Sequence, residues 1–155
     1  MERKISEISF LITNKINGSQ LDVKHYISTE NILSNFGGVT FANSIPTGNV
    51  TSFNKYDILL SNIRPYFKKI WFSKFSGGCS NDVLVIRANN KLVLSKYLFY
   101  ALNNEQFIKY YVSSCKGTKM PRGNKDALLE WKINVPQLEI QQHIVNSIRG
   151  CSYVM

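Results

Sequence analysis

The sequence is poor in the residues that stabilise small secreted domains or bind structural zinc. Only three of its 155 residues are cysteines, and no two of them are spaced as Cys-x-x-Cys. An odd number of cysteines without paired spacing excludes a disulfide framework and gives no zinc motif. We therefore expect Cys79, Cys115 and Cys151 to be reduced thiols in a cytoplasmic protein.

Long apolar runs are also missing, and no segment of the sequence is long and apolar enough to span a bilayer. The first twelve residues place basic before apolar side chains, as a signal peptide does. Glu7 and Asn14 interrupt this run, and it is too short for such a signal. The sequence thus predicts no membrane association.

Acidic residues are absent from two stretches, 58–81 and 106–125, which together hold nine lysines and arginines. The formal net charge of the chain is +9, so these two segments account for all of the excess. Aromatic residues are interleaved with the cations in both. This pattern is typical of a surface that binds a nucleic-acid backbone with bases alongside, although the aromatic residues can equally belong to the core.

Hydrophobic patterning predicts an α+β domain in which strands mostly precede helices. Strands are expected over 25–31, 39–42, 56–63, 67–75, 82–87 and 132–135, with 82–87 central and buried on both faces. An amphipathic turn or helix is expected over 5–12, a loop over 43–52 and a turn at Gly77-Gly78. Helices are expected after the caps Ser95 and Asn104, over 125–131, and from Leu138 to a stop at Gly150.

The residues of an active site are not found in any recognisable arrangement. The two histidines lie far apart in sequence, the ten carboxylates are scattered, and no glycine-rich phosphate loop follows a strand. No glycine pattern for binding S-adenosylmethionine is present. The sequence therefore predicts a binding protein with no catalytic residues, no metal site and no cofactor.

Six stretches, which occur in order along almost the whole chain, carry a resemblance to a known family. They are YISTENIL (26–33), YDILLSNIRPYFKKIWF (56–72), GGCSNDVLVIRA (77–88), LFYALNNEQF (98–107), KGTKMPRGNKDAL (116–128) and INVPQLEIQQHIV (133–145). The chain resembles one half of the specificity subunit of type I restriction–modification enzymes. The last stretch looks like the signature of that family, in which a hydrophobic residue and proline precede Leu-Glu-x-Gln-Gln and a helix.

The resemblance implies a fold and a set of partners. It implies one compact target recognition domain over 1–136, with a twisted mixed β-sheet and flanking helices, followed by the start of a spacer helix over 137–155. Such a domain recognises half of a split double-stranded DNA target. Methyltransferase (modification) subunits then methylate adenine, and an ATP-dependent restriction subunit acts indirectly through the complex. A second recognition domain or a homodimer would supply the other half-site.

The same resemblance places DNA contact at two segments, one in each basic stretch. Arginine suits guanine edges and phosphates, asparagine suits adenine, and lysine mostly contacts phosphate. Arg122 is the favoured base-contacting residue, and its alternative is an ion pair with a carboxylate such as Asp126. Asn81 and Asp82 are expected to shape a turn. The ten predicted DNA contacts are Asn62, Arg64, Tyr66, Lys68, Lys69, Lys116, Thr118, Lys119, Arg122 and Lys125.

Two alternatives to this function stay open at the level of the sequence. One is a general nucleic-acid-binding module without preference for a duplex sequence. The other is a truncated, non-functional specificity fragment, because the helix of the family continues for several more turns whereas CSYVM does not look like that continuation. The resemblance gives no DNA target sequence.

Overall fold

The computed structural model describes residues 1–117 and 121–151, the last three of these by their backbone alone. In the described part, ten strands and five α-helices alternate in a mixed α+β order. The strands are β1 (Glu2–Lys4), β2 (Ser9–Ile12), β3 (Lys15–Asn17), β4 (Tyr26–Ile27), β5 (Asn49–Phe53), β6 (Ile58–Ser61), β7 (Ile70–Phe72), β8 (Gly77–Cys79), β9 (Val83–Ala88) and β10 (Lys132–Asn134). The helices are α1 (Ile5–Ile8), α2 (Ser95–Leu102), α3 (Glu105–Ser113), α4 (Lys125–Glu130) and α5 (Leu138–Cys151).

The strands of the described residues form three sheets. An antiparallel sheet has the order β2-β9-β6-β7, and a mixed sheet has the order β3-β5-β8-β4 with β4 parallel to β8. The short pair β1-β10 joins the start of the chain to the segment that precedes α5. The α+β class is therefore confirmed, and the mixed sheet is one of three sheets.

The two central strands of the antiparallel sheet are buried on both faces. Leu60, Leu84 and Ile86 pack on one face in the same cluster as the buried side chains of α2, α3 and α4. Leu59 and Val85 pack on the other face with residues of the mixed sheet. This double burial explains why β6 and β9 read as continuous apolar runs, and it confirms the prediction for 82–87.

One charged pair lies beside this core. Arg87, on β9, donates two hydrogen bonds to the buried carboxylate of Asp57, at 2.9 and 2.8 Å. The backbone N–H of Asn54 donates to the same carboxylate at 2.8 Å. The hydrogen bonds to Asp57 raise the pKa of the Arg87 guanidinium above its ordinary value. The buried carboxylate is thus fully paired, as burial of a charge requires.

Several predicted strands are shorter than expected or absent. Only the first half of 5–12 is helical, because Ser9–Ile12 pairs with β9 as an edge strand. The stretch 25–31 contains the two-residue β4 followed by a 3₁₀ turn over Thr29–Asn31. The predicted strand over 39–42 is wrong, since its pairing is a single bridge from Val39 to Ile32. The strand over 67–75 shrinks to Ile70–Phe72.

Two predicted turns or loops are strands instead. The second half of the loop over 43–52 forms β5, which pairs with both β3 and β8. Gly77-Gly78 belongs to β8, where a Cβ on Gly77 would lie 2.2 Å from the carbonyl oxygen of His25 in the neighbouring segment. The glycine there permits close approach of the parallel strand rather than a turn.

The helices follow the sequence more closely. Asn104 caps α3 as predicted, because its Oδ1 accepts a hydrogen bond from the N–H of Phe107 at 2.8 Å. Leu94, not Ser95, occupies the cap position of α2, and α5 continues through Gly150 to Cys151 instead of ending there. Helix α5 lies within residues 137–155, the segment in which the resemblance places the start of the spacer helix.

Helix α5 is attached to the domain by a buried glutamine. Gln141 accepts a hydrogen bond from the N–H of Leu94 at 2.9 Å and donates to the carbonyl oxygens of Leu92 and Pro136 at 3.0 and 2.8 Å. Val145 is buried one turn later. The apolar residues of α5 are only partly covered by the domain, because Ile140 and Ile144 stay 48% and 38% exposed.

We expect Gln141→Leu to lower the free energy of unfolding by about 3 kcal/mol, because the buried side chain of Gln141 would no longer bond to the backbone groups of residues 92, 94 and 136. Urea denaturation measures this difference. Gln142→Leu is the matched control, since Gln142 is exposed and its side chain bonds to Asn146 within the same helix. Its effect should stay within about 0.5 kcal/mol. Equal losses in the two variants would contradict the role of Gln141.

Candidate nucleic-acid interface

The ends of the two central strands place the first basic segment at one edge of the antiparallel sheet. β6 ends and β9 begins at the same level, because Ser61 is paired with Val83. One residue further out, the N–H of Asn62 donates to the carbonyl oxygen of Asp82 at 2.8 Å. The chain after β6 therefore leaves the sheet beside the turn that precedes β9.

The second basic segment joins the same edge through its backbone. Arg122 forms antiparallel bridges with both Ile63 and Lys116. The N–H of Arg64 donates to the carbonyl oxygen of Pro121 at 2.8 Å, and that of Gly123 donates to Asn62 at 3.1 Å. Two segments that lie about sixty residues apart in the sequence thus form one surface, which we call the basic edge. Its cations are Arg64, Lys68, Lys69, Lys116, Arg122 and Lys125.

Arg122 lies on the basic edge with its side chain 53% exposed. Its guanidinium forms an ion pair with Asp82, and not with Asp126 as the alternative had it. Because a guanidinium has five N–H donors, this pair leaves other donors to contact a ligand. Asp82 lies in the predicted turn before β9. No local sequence pattern indicates the contact of Asp82 with Arg122, forty positions away.

Two lysines of the basic edge are held by neighbouring groups. Lys68 forms an ion pair with Glu105 at the start of α3, at 2.5 Å. Lys69 donates to the carbonyl oxygen of Thr29 at 3.1 Å, and both side chains are half-buried. The positive charges of Lys68 and Lys69 are consequently held next to the 3₁₀ turn over Pro65–Phe67.

The structure places Asn62, one of the predicted DNA contacts, beneath the surface of the basic edge. Asn62 is buried, and its side-chain carbonyl oxygen accepts a hydrogen bond from the hydroxyl of Tyr111. Burial raises the pKa of Tyr111, so this phenol stays protonated as the donor. Asn62 thereby connects the end of β6 to α3, and its amide is withdrawn from the surface.

The remaining predicted contacts are distributed as follows. Lys116, Arg122 and Lys125 line one shallow cleft of about 430 Å³, together with Asn124 and Asp126. Tyr66 is exposed on a 3₁₀ turn over Pro65–Phe67, next to a similarly exposed Phe67, which is not among the ten predicted contacts. Thr118 and Lys119 lie outside the described residues.

Gly123 fixes the distance between the second segment and the core. A Cβ at this position would lie 2.2 Å from Cζ of Tyr111 and 2.4 Å from its hydroxyl. The Tyr111 ring is fully buried and stacks on Phe107 with ring centroids 5.6 Å apart, so it has no free space to move into. Only glycine allows the backbone of residues 121–123 to rest on this ring.

The chemistry of the site is that of a cationic binding surface. Among the described residues, no three histidine, cysteine or acidic side chains are grouped so as to hold a metal ion. Burial raises the pKa of the Cys79 thiol to about 12 and also raises that of Cys115, so both thiols are protonated and poorly nucleophilic at neutral pH. The basic edge can instead donate hydrogen bonds to phosphate oxygens and base edges.

No helix in the described residues has the length and apolar character needed to cross a membrane.

Comparison with family models gives one match that covers nearly the whole chain. Residues 4–149 match the model described as the type I restriction modification DNA specificity domain. Among curated proteins, none matches the chain.

Solved structures show the same fold in proteins of low sequence identity. The HsdS subunit from Thermoanaerobacter tengcongensis is 20% identical with a TM-score of 0.78, and the S subunit from M. genitalium is 18% identical with a TM-score of 0.66. A chain from a structure of type I R-M complex assembly and conformational transition is 21% identical with a TM-score of 0.77. Each match covers 97% of this chain but only 41%, 38% and 41%, respectively, of the solved chain.

We expect Gly123→Ala to displace residues 121–123 from Tyr111 and to lower the free energy of unfolding by about 2 kcal/mol, the cost of overpacking a filled site. Thermal unfolding and affinity for a duplex measure the two consequences, and both should fall. Gly48→Ala is the control, because a Cβ there meets no atom within 4 Å. If Gly123→Ala is as well tolerated as Gly48→Ala, the close approach does not constrain the interface.

Proposed function

The chain belongs to the family of type I restriction modification DNA specificity domains, and on this premise we propose that it is a non-catalytic target recognition domain for one half of a split double-stranded DNA site. In this proposal, residues 1–136 bind the DNA, and residues 137–155 begin a spacer helix. Partner methyltransferase subunits methylate adenine at the recognised site, and an ATP-dependent restriction subunit acts through the same complex in the cytoplasm.

The meeting of the two basic segments carries this proposal. All of the +9 net charge lies in segments 58–81 and 106–125, and backbone hydrogen bonds from Arg64 and Gly123 hold parts of both on one edge. A phosphate backbone is the ligand that such a concentration of fixed cations favours.

Within the basic edge we assign different tasks to Arg122 and Lys125. Arg122 is fixed by Asp82 and keeps spare donors, which suits bidentate recognition of a guanine edge. Lys125 is an exposed ammonium at the start of α4 and suits a phosphate, which carries no sequence information. Sequence preference should therefore depend on Arg122, while general affinity depends on the lysines.

Selection from a pool of random duplexes tests the proposal, and it should return a preferred sequence. Arg122→Ala should then lose about 1–3 kcal/mol on that sequence and blur one base position. Lys125→Ala should weaken selected and random duplexes by the same factor and reduce the salt slope by about one. A pool that yields no preferred sequence, with equal losses for both variants, would indicate a general nucleic-acid-binding module.

The exposed side of α5 provides a surface for assembly in this proposal. Ile140 and Ile144 lie one turn apart and face solvent, whereas Gln141 and Val145 hold the helix to the domain. An exposed apolar stripe beside an anchored helix face is suited to packing against another helix. We assign it to the methyltransferase subunits or to the spacer helix of a second recognition domain.

We expect Ile144→Lys to reduce co-purification with a co-expressed methyltransferase (modification) subunit by about tenfold or more, because a lysine would be buried without a partner. Affinity for DNA should stay unchanged, which shows that the domain is folded. Asn146→Lys, on the opposite exposed side of α5, is the control and should assemble normally. Normal assembly of Ile144→Lys would contradict the assignment of this face.

A further inference from the structure

Two large aromatic side chains stand exposed in the middle of the basic edge. Tyr66 and Phe67 are 45% and 41% exposed, and their ring centroids are 4.7 Å apart with the rings tilted by 59°. Neighbouring aromatic residues of this size lose much apolar contact when they face water. Their position outside the core, between the cations of the basic edge, points to a ligand that covers them.

The turn that carries the pair is held in a costly conformation. Arg64 and Lys68, which flank the 3₁₀ turn over Pro65–Phe67, have φ angles of 48° and 58° in the left-handed region. Non-glycine residues persist there only when the surroundings fix them, and such strain gathers at functional sites.

The surroundings that fix this turn are visible as hydrogen bonds. The N–H groups of Asn35 and Phe36 donate to the carbonyl oxygens of Phe67 and Lys68 at 2.9 and 3.0 Å. The N–H of Arg64 donates to Pro121 at 2.8 Å. The aromatic pair is thus presented on a rigid support, so little conformational entropy is lost when a ligand covers it.

The charges around the pair identify the kind of ligand. The ammonium of Lys69 lies 5.9 Å from the centre of the Phe67 ring. Lys68 directly follows Phe67 and ends the 3₁₀ turn. Flat apolar rings between cations match the flat faces of nucleobases between phosphates. An apolar protein partner would gain nothing from these cations.

We propose that Tyr66 and Phe67 form an apolar wedge, which enters between two base pairs of the bound duplex, partly unstacks them and kinks the DNA. This proposal rests on the function proposed above and adds a specificity-determining element to it. Because base steps differ in how easily they kink, the wedge would select for sequence at a step that forms no hydrogen bond with the protein.

The affinity of the 155-residue chain for an intact duplex and for the same duplex with a central two-nucleotide bulge tests the wedge. A bulge has already lost the stacking that a wedge must break, so the wild type should bind it about tenfold more tightly. Tyr66→Ala and Phe67→Ala should each reduce this ratio, and the double variant should bring it close to one. Phe67→Leu should retain most of it, because a leucine also fills a base step.

Phe10→Ala is the matched control, since Phe10 is 54% exposed but lies on the regular strand β2. It should keep the wild-type ratio. A 2-aminopurine placed in the selected target should brighten when the wild type binds and stay dim with the double variant. Thermal unfolding should show all these variants folded, because neither ring is part of the core.

Three results would overturn the wedge. The first is a double variant that keeps the preference for the bulged duplex. The second is a double variant that loses as much affinity for single-stranded DNA as for the bulged duplex, which would indicate that the two rings stack on bases without entering a duplex. The third is a wild type that binds duplex with the expected salt dependence but has no preference for the bulge, in which case the proposed function stands alone. A wild type that binds no duplex removes the proposed function and the wedge with it.

Discussion

The burial of β6 and β9 on both faces is the constraint on which the rest of the structure depends. These strands separate two apolar clusters, so the helices must cover one side and the mixed sheet the other. A strand pair that is covered twice has no freedom to slip, because a shift by one residue would exchange the two faces. The ends of β6 and β9 are therefore fixed points from which surface segments can be positioned.

The basic edge begins at one of these fixed points. Ser61 and Val83 close the ladder, and Asn62 and Asp82 follow as the first residues outside it. The Asn62 side chain accepts a hydrogen bond from the hydroxyl of Tyr111, and Gly123 packs against the ring of the same tyrosine. A single buried tyrosine thus sets the height of both basic segments, which explains why a surface built from loops can be rigid.

Two carboxylates on the basic edge position cations, although the net charge of the edge is positive. Asp82 and Glu105 each hold one cation, Arg122 and Lys68, although the edge as a whole repels its own charges. Exposed pairs of this kind contribute little to stability. Their effect is to fix the direction of a donor before a ligand arrives, which favours discrimination between ligands over general affinity for anions.

The helices, the strands with continuous apolar runs and the family could be predicted from the sequence, because strong patterns determine them. The apolar run of β9, the cap at Asn104 and the concentration of charge in two segments are all local signals. Short strands such as β5 and β8 could not be predicted, since pairing partners and not propensity create them; in β8 the glycines serve close packing. The basic edge depends likewise on contacts between distant residues. Neither the burial of Asn62 under Tyr111, nor the pairing of Arg122 with Asp82, nor the exposure of Tyr66 and Phe67 has a local sequence signature. The sequence by itself determined which residues carry the charge, and only the tertiary structure decided which of them face a ligand, because exposure is set by what packs beneath each residue.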